Sequence, residues 1–238
     1  MKKRIGLLVC DTTREDRAAF IGQYIDRFTN FLESQLDRIE LIEYKIQEGH
    51  WPSSPEECDG YIVSGSRHSA NDGEIEPWIA ELIRFIRECY AGKVKMVGIC
   101  FGHQVIAKAM GGQVELNPNG WGLGIKQQEV LVERPWMEPF SKAVNIVASH
   151  KEHVFELPGN AELLLTSPHC RVAAYEIKDL FLGFQGHPET TAYVSSFGVE
   201  DKMELLGSDG YREAKCSLTK VLDQRLIANW IGNFFYQK

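Results

Sequence analysis

Apolar positions along the chain group into short solid runs separated by amphipathic stretches. Residues 4–10, RIGLLVC, are a nearly unbroken apolar run, the pattern of a strand buried on both faces of a parallel sheet. A helix is expected after it, to about Leu36. Residues 39–46, IELIEYKI, alternate well enough for a second strand, and Trp51, Pro52, Ser53, Ser54 and Pro55 follow in a loop. Asp59-Gly60 turns into a third strand, YIVSG. Over residues 77–90, Ile79, Leu82, Ile83 and Ile86 recur at helical spacing, and Gly92 closes that helix. Residues 94–100, VKMVGIC, are another buried strand, and FGHQVIAKAMGG starts a helix that stops at Gly111-Gly112.

From Gln113 to Phe184 the text changes to short β-like runs: GIKQQEVLVE, KAVNIVASH, AELLLTS, RVAAYEI and LFLGFQ. They read as extra strands and hairpins beside the parallel core. At the end, Leu218, Val221, Leu222, Leu226, Ile227, Trp230 and Ile231 have the spacing of one amphipathic helix packed on the sheet. Residues 197–215 give no decipherable pattern. No repeat, low-complexity stretch or linker-like change of composition interrupts the chain.

At 238 residues, 44% of them hydrophobic, the chain is long enough for one sizeable core and short for two, which predicts a single α/β domain over 1–238. The net charge of -7, with Lys and Arg dispersed, argues against nucleic acid as a primary ligand. Six cysteines form no CxxC pair and no metal-type Cys/His spacing, so neither a metal nor another cofactor is expected. The apolar run near the start is too short for a signal-peptide core or a membrane span. A reducing cytoplasm, with free thiols, is the natural setting.

The strongest local signal is Gly98-Ile99-Cys100-Phe101-Gly102, between an apolar strand and a helix. This is the G-x-nucleophile-x-G elbow pattern with cysteine as nucleophile. Its glycines allow a tight, strained turn. At a helix N-terminus the thiolate is favoured, and the Phe101 N–H can point at a developing oxyanion. A cysteine nucleophile also needs a base and a group to orient that base. Gln185-Gly186-His187-Pro188-Glu189 supplies both after an apolar strand, with His187 accepting the proton and Glu189 fixing the imidazole tautomer. Cys10 and Cys89 read as buried structural thiols. His50, His68, His103, His153 and His169 have no partner by spacing, and surface or satisfied histidine is expected for all five.

Together GICFGHQVIAKAMGG, SHKEHV and GFQGHPE resemble the class I glutamine amidotransferase family, which includes the amidotransferase domain of GMP synthetase and stand-alone relatives. The resemblance spans roughly residues 5–189. It implies a three-layer sandwich with a flavodoxin-like core: a mostly parallel central sheet, helices on both faces and additional antiparallel strands. It implies a Cys100, His187, Glu189 triad acting on glutamine or a γ-glutamyl compound through a glutamyl thioester. By the same resemblance Gln104 holds the substrate's α-amino acid end, and the backbone at Ser149 and His150 contacts it. Gly65 and Ser66 sit where the family's S-G-G-P loop gives the second oxyanion donor. An ammonia acceptor or synthetase would have to be a partner chain, since no nucleotide-binding loop is present.

Two departures matter. Ser66 and Arg67 replace the second glycine and the proline of S-G-G-P, and Gly186 stands where better-known amidotransferase domains carry an aromatic residue. S-G-S and Q-G-H-P-E together look more like the subgroup with plant γ-glutamyl peptidases, and smaller walls at these places would admit a leaving group larger than ammonia. Competing readings are a catalytically silent regulatory or scaffold protein on the same fold, and a cysteine-elbow enzyme resembling the DJ-1/PfpI superfamily.

Overall fold

The computed structural model describes residues 1–237. Its centre is a nine-stranded sheet built from β1 (Lys3–Val9), β2 (Ile39–Lys45), β3 (Gly60–Val63), β4 (Lys95–Ile99), β6 (Gly122–Val130), β7 (Ala143–His150), β9 (Ala161–Thr166), β10 (Ala174–Ile177) and β11 (Phe181–Phe184). The strand order is β2-β1-β3-β4-β11-β10-β9-β6-β7. Pairing is parallel from β2 to β11 and antiparallel from β11 to β7. The solid apolar runs mark the strands that are covered on both faces: every residue of β3 and β11 is buried, as are Ile5 to Val9 of β1.

Helices cover both faces. On one, α2 (Tyr24–Phe31) and α7 (Gln224–Tyr236) press Phe28, Phe31, Trp230 and Phe234 against Ile5, Leu7, Ile99 and Leu182. On the other, α3 (Pro77–Ala91) and α4 (Phe101–Ala109) pack Ile79, Leu82, Phe85, Ile86 and Val105 onto Leu8, Tyr61, Val63 and Met96. Each such side chain stabilises the fold by roughly 1.5–3 kcal/mol relative to exposure. A smaller cluster joins α5 (Ala192–Asp201) and α6 (Met203–Ser217) to β6 through Leu123, Val199 and Ala214. No helix among the described residues is long and apolar enough to cross a membrane.

The α/β class with helices on both faces and a mixed sheet agrees with expectation; the details differ in four places. The helix expected up to Leu36 is split into α1 (Glu15–Ile21) and α2 by Gly22, whose φ of 69° breaks the helix. The run LFLGFQ is no accessory hairpin: β11 pairs parallel with β4 and belongs to the core. The C-terminal helix starts only at Gln224. Before it, the Asp223 carboxylate accepts from Asn145 N–H at 2.7 Å and ties the chain to β7, leaving Val221 outside the helix and 80% exposed. Finally, residues 197–215 fall in α5 and in α6, which bends at Gly207, φ 65°. A separate two-stranded ribbon of β5 (Gln113–Leu116) and β8 (Glu152–Glu156) escaped the pattern because it buries only Val114 and Val154 and leaves Leu116 and Phe155 exposed among polar residues.

Candidate active site

The elbow forms where β4 meets α4. Cys100 has φ 52° and ψ −100°, a conformation that side chains rarely adopt, on the order of 1–3 kcal/mol of strain for a non-glycine residue. The turn is held by packing. A Cβ on Gly102 would lie 2.2 Å from the Val63 carbonyl oxygen, and one on Gly98 2.5 Å from the Gly102 carbonyl. Cys100 N–H donates to the Phe184 carbonyl at 2.8 Å, fastening the elbow to β11. The Phe101 N–H, in the first turn of α4, has no helical carbonyl to bond, and its ring is anchored on Trp78 at 5.6 Å.

The next residues after β11 carry the other two candidates. His187 N–H donates to the Val147 carbonyl at 2.8 Å, and Gln224 Nε2 donates to the Pro188 carbonyl at 2.7 Å, so this segment is held from both sides. His187 Nδ1 lies 2.8 Å from Glu189 Oε1, and its ring sits beside Cys100, since one Cβ built on Gly65 would meet both His187 Cε1, at 2.8 Å, and Cys100 Cβ, at 3.7 Å. Burial opposes charge on His187, yet the Cys100 and Glu189 charges, with the Glu189 hydrogen bond, outweigh it and raise its pKa well above the ordinary histidine value. Glu189 is buried, which alone would raise its pKa; His187, with a smaller contribution from Arg27, overcomes that and holds it below the usual value. The result is a carboxylate–imidazolium pair beside the Cys100 sulfur. Elsewhere burial pushes the Cys10 and Cys89 thiols up, away from thiolate, and Cys170 up to about 12.

These residues open into a cleft of about 440 Å³ whose lining includes Gly65, Ser66, Cys100, Gln104, Ser149 and His187. Gly65 lies against both Cys100 and His187, since a Cβ there would be 2.8 Å from His187 Cε1 and 3.7 Å from Cys100 Cβ. The Ser66-Arg67 departure has a physical counterpart. Arg67 N–H donates to Asp11 Oδ2 at 2.9 Å and its guanidinium to Asp11 Oδ1 at 2.7 Å, so an ion pair holds the loop where proline would otherwise stiffen it. Gln104 is in the cleft wall, but its amide N–H groups donate to the Glu152 carbonyl at 2.9 Å and to Gln185 Oε1 at 3.1 Å. The Ser149 carbonyl lies 4.0 Å from Cys100 Sγ. His150 is buried in β7, its Nδ1 3.0 Å from the Glu152 carbonyl, and burial lowers its pKa to about 3.

Two sequence expectations fail here. Gly186 does not widen the cleft: a Cβ on it would lie 2.2 Å from Ile146 Cγ2, so the position faces β7 and any larger residue would collide there. His103 is neither on the surface nor satisfied. It is fully buried in α4 beside Tyr175, at 4.7 Å, with neither ring nitrogen paired, and burial lowers its pKa to about 3. His153 has two unpaired ring nitrogens as well. Of the five, His68 alone lines the cleft, 5.5 Å from Trp78.

Several cleft residues had no sequence signal. Gln185 Nε2 lies 3.6 Å from Cys100 Sγ, and the residue directly before GHPE could have been suspected for that reason alone. Asp11 comes from the end of β1. Trp121 and Lys202 complete the far wall, the Lys202 ammonium 4.8 Å from the Trp121 ring centre.

The family model for Glutamine amidotransferase class-I matches residues 23–197. The chain belongs to the class I glutamine amidotransferase family. Among its relatives, γ-glutamyl peptidase 3 of Arabidopsis thaliana is 28% identical, the match covering 97% of each chain. γ-Glutamyl peptidase 4 of the same plant is 34% identical over 71% of this chain and 68% of its own. The glutamine-hydrolyzing GMP synthase subunit of Archaeoglobus fulgidus is 32% identical, with 67% and 81% covered. A solved glutamine amidotransferase from Thermotoga maritima superposes with a TM-score of 0.78 over the whole of both chains at 18% identity, which fixes the fold as that of class I amidotransferases. Family membership also sets aside the DJ-1/PfpI reading.

Proposed function

We propose that the chain, as one unit over residues 1–238, is a cysteine hydrolase of γ-glutamyl amides. Cys100 is its nucleophile, His187 its acid–base and Glu189 the group that orients and charges His187. The observation that supports this reading is His187 bonded to Glu189 Oε1 at 2.8 Å while sharing the Gly65 edge of the cleft with Cys100. The thiolate attacks the γ-carbonyl, and the oxyanion forms within reach of the Phe101 N–H and the Gly65-Ser66 backbone. His187 gives its proton to the departing amine, leaving a γ-glutamyl thioester on Cys100. It then takes a proton from water, which attacks the thioester and releases glutamate. Ser149, His150 and Gln104 form the wall for the amino-acid end. Because the Gln104 amide is bonded to Glu152 and Gln185, it acts by holding those backbone and side-chain groups in place.

The leaving group is the open variable. A cleft of about 440 Å³ is in the range of sites that take ligands much larger than an amino acid. That size, together with the peptidase relatives, favours an amine larger than ammonia. The similarity to a GMP synthase chain favours the second reading, in which ammonia passes to a partner synthetase. Free thiols at all six cysteines suit the reducing cytoplasm in which we place the reaction. A substrate panel separates the readings: glutamine, γ-glutamyl dipeptides and glutathione conjugates are offered to the purified chain. Cleavage of the peptides or conjugates supports the hydrolase. Good turnover of glutamine with none of the others replaces it by the partner-fed amidotransferase, and no turnover of anything returns the silent-scaffold alternative.

A further inference from the structure

The catalytic carboxylate leaves one oxygen unused. Glu189 Oε1 accepts from His187 at 2.8 Å and from Thr190 Oγ1 at 3.4 Å, while Oε2 is buried with no hydrogen-bond partner. A charged oxygen cut off from water in this way carries an unrelieved desolvation cost. Arg27, on α2, shows the complementary deficit: its Nε is buried and also without a partner. Its guanidinium lies over the Tyr24 ring, 4.2 Å from the ring centre. Arg27 and Glu189 line the same small cavity of about 150 Å³, on which His187 also borders, and both border a larger one of about 570 Å³. Buried polar groups without partners are few in folded proteins, and two of opposite charge on one cavity call for a joint explanation.

We propose that Arg27 is a positioning residue for the triad, acting across this cavity on Glu189 Oε2 so that the carboxylate stays ionised with its Oε1 edge turned to His187. The guanidinium acts on Oε2 through its charge, across the small cavity that both residues line. The contact with Tyr24 restrains the guanidinium. The titratable groups around Glu189 are His187 and Cys100 on the catalytic side, Tyr24 and Arg27 from α2, Glu33 in the turn after α2, Tyr193 from α5 and Arg225 from α7. Arg27 is the cation among them that borders both cavities. Its charge adds to that of His187 in holding the Glu189 pKa down against burial. Without it that pKa moves up, Glu189 protonates at higher pH, and the thiolate–imidazolium pair loses its support there.

The inference rests on the triad reading, so its test uses a signal that needs no substrate. Alkylation of Cys100 by iodoacetamide is followed by peptide mass from about pH 4 to about pH 9, since the thiolate is the reacting form. The full chain is compared with Arg27→Met, Arg27→Gln and Arg27→Lys, with Lys142→Met, an exposed lysine, as a charge control. In Arg27→Met and Arg27→Gln the acid limb should move up by about half a pH unit or more, and Arg27→Lys should bring it back. With a cleaved γ-glutamyl substrate, kcat should fall about tenfold while KM stays within about twofold, again recovered by lysine. A thermal melt checks folding, and Arg27→Gln decides the matter if the methionine variant does not fold. An unmoved acid limb in a folded variant overturns the proposal, as does equal damage in Arg27→Lys and Arg27→Met. If the wild-type chain cleaves nothing, the functional reading fails, but the alkylation profile still judges Arg27.

Discussion

A methyl group added to Gly65 has nowhere to go but into the imidazole of His187. An ideal Cβ would stand 2.8 Å from His187 Cε1 and 3.5 Å from Nδ1. Carbon atoms in contact settle at about 3.5–4.0 Å, so the ring must retreat by roughly 0.7–1.2 Å. Retreat is resisted, because Nδ1 is bonded to Glu189 at 2.8 Å and moving the ring strains that bond and shifts the imidazole relative to Cys100. Misplacing a catalytic group by about 1 Å costs on the order of 100-fold in rate. Overpacking of this kind destabilises a fold by about 1–3 kcal/mol, about 2–12 °C of melting temperature for a chain of this size. Gly65→Ala should therefore lose about 100-fold in kcat/KM for a γ-glutamyl amide while remaining folded by thermal melting. The backbone N–H is intact in this variant, so the loss reports the imidazole and not an oxyanion donor. Retention of more than about half of wild-type activity would refute the placement of His187 against Gly65 as the working geometry.

Glu189→Gln should lower kcat by about 100-fold, less than loss of the nucleophile, because a neutral amide no longer supports the imidazolium; steady-state kinetics checks it. The same variant should flatten part of the stability–pH curve. His187, its pKa raised, contributes stability fully present below the ordinary value of about 6.5 and lost as pH rises through its folded pKa; Glu189, its pKa lowered, contributes stability present above about 4.3 and lost as pH falls through its folded pKa. Denaturant titrations from about pH 4 to about pH 8 measure that difference, and identical curves would count against the ion pair. Asp11→Asn should loosen the loop held by Arg67, with about a tenfold fall in kcat/KM and about 1–3 kcal/mol of stability; an unchanged kcat/KM would show that the loop holds its shape without Asp11. His103 and His150, whose pKa values burial lowers to about 3, bind no proton in the fold while the unfolded chain does below about 6.5. Stability should fall with acid by up to about 1.4 kcal/mol per pH unit for each, and His103→Leu should reduce that slope in urea unfolding.

Four of the five strands of the parallel core, β1 to β4, were readable because their cues are local. Residues 4–10 and 94–100 are solid apolar runs, and Gly98 and Gly102 bracket Cys100 at a spacing that backbone contact enforces. His187 and Glu189 were readable for the same reason, lying together at one strand end. What stayed hidden depends on neighbours far apart in the chain. Asp11 matters only because Arg67 reaches it, Gln185 because β11 lies against β4, and Lys202 because α5 and α6 close over Trp121. Gly186 misled because its residue type suggested space while the sheet points it at Ile146. The break at Gly22 was hidden because helical spacing continues on either side of it.

The central claim is that Cys100 carries a γ-glutamyl group during turnover. The most direct measurement is intact-protein and peptide mass spectrometry after acid quenching of the chain mixed with glutamine or a γ-glutamyl peptide. A γ-glutamyl adduct mapped to Cys100, absent from a folded Cys100→Ala protein that no longer turns over, is the predicted result. Turnover by Cys100→Ala, or an adduct on Cys58 or Cys216 with Cys100 unmodified, would contradict it.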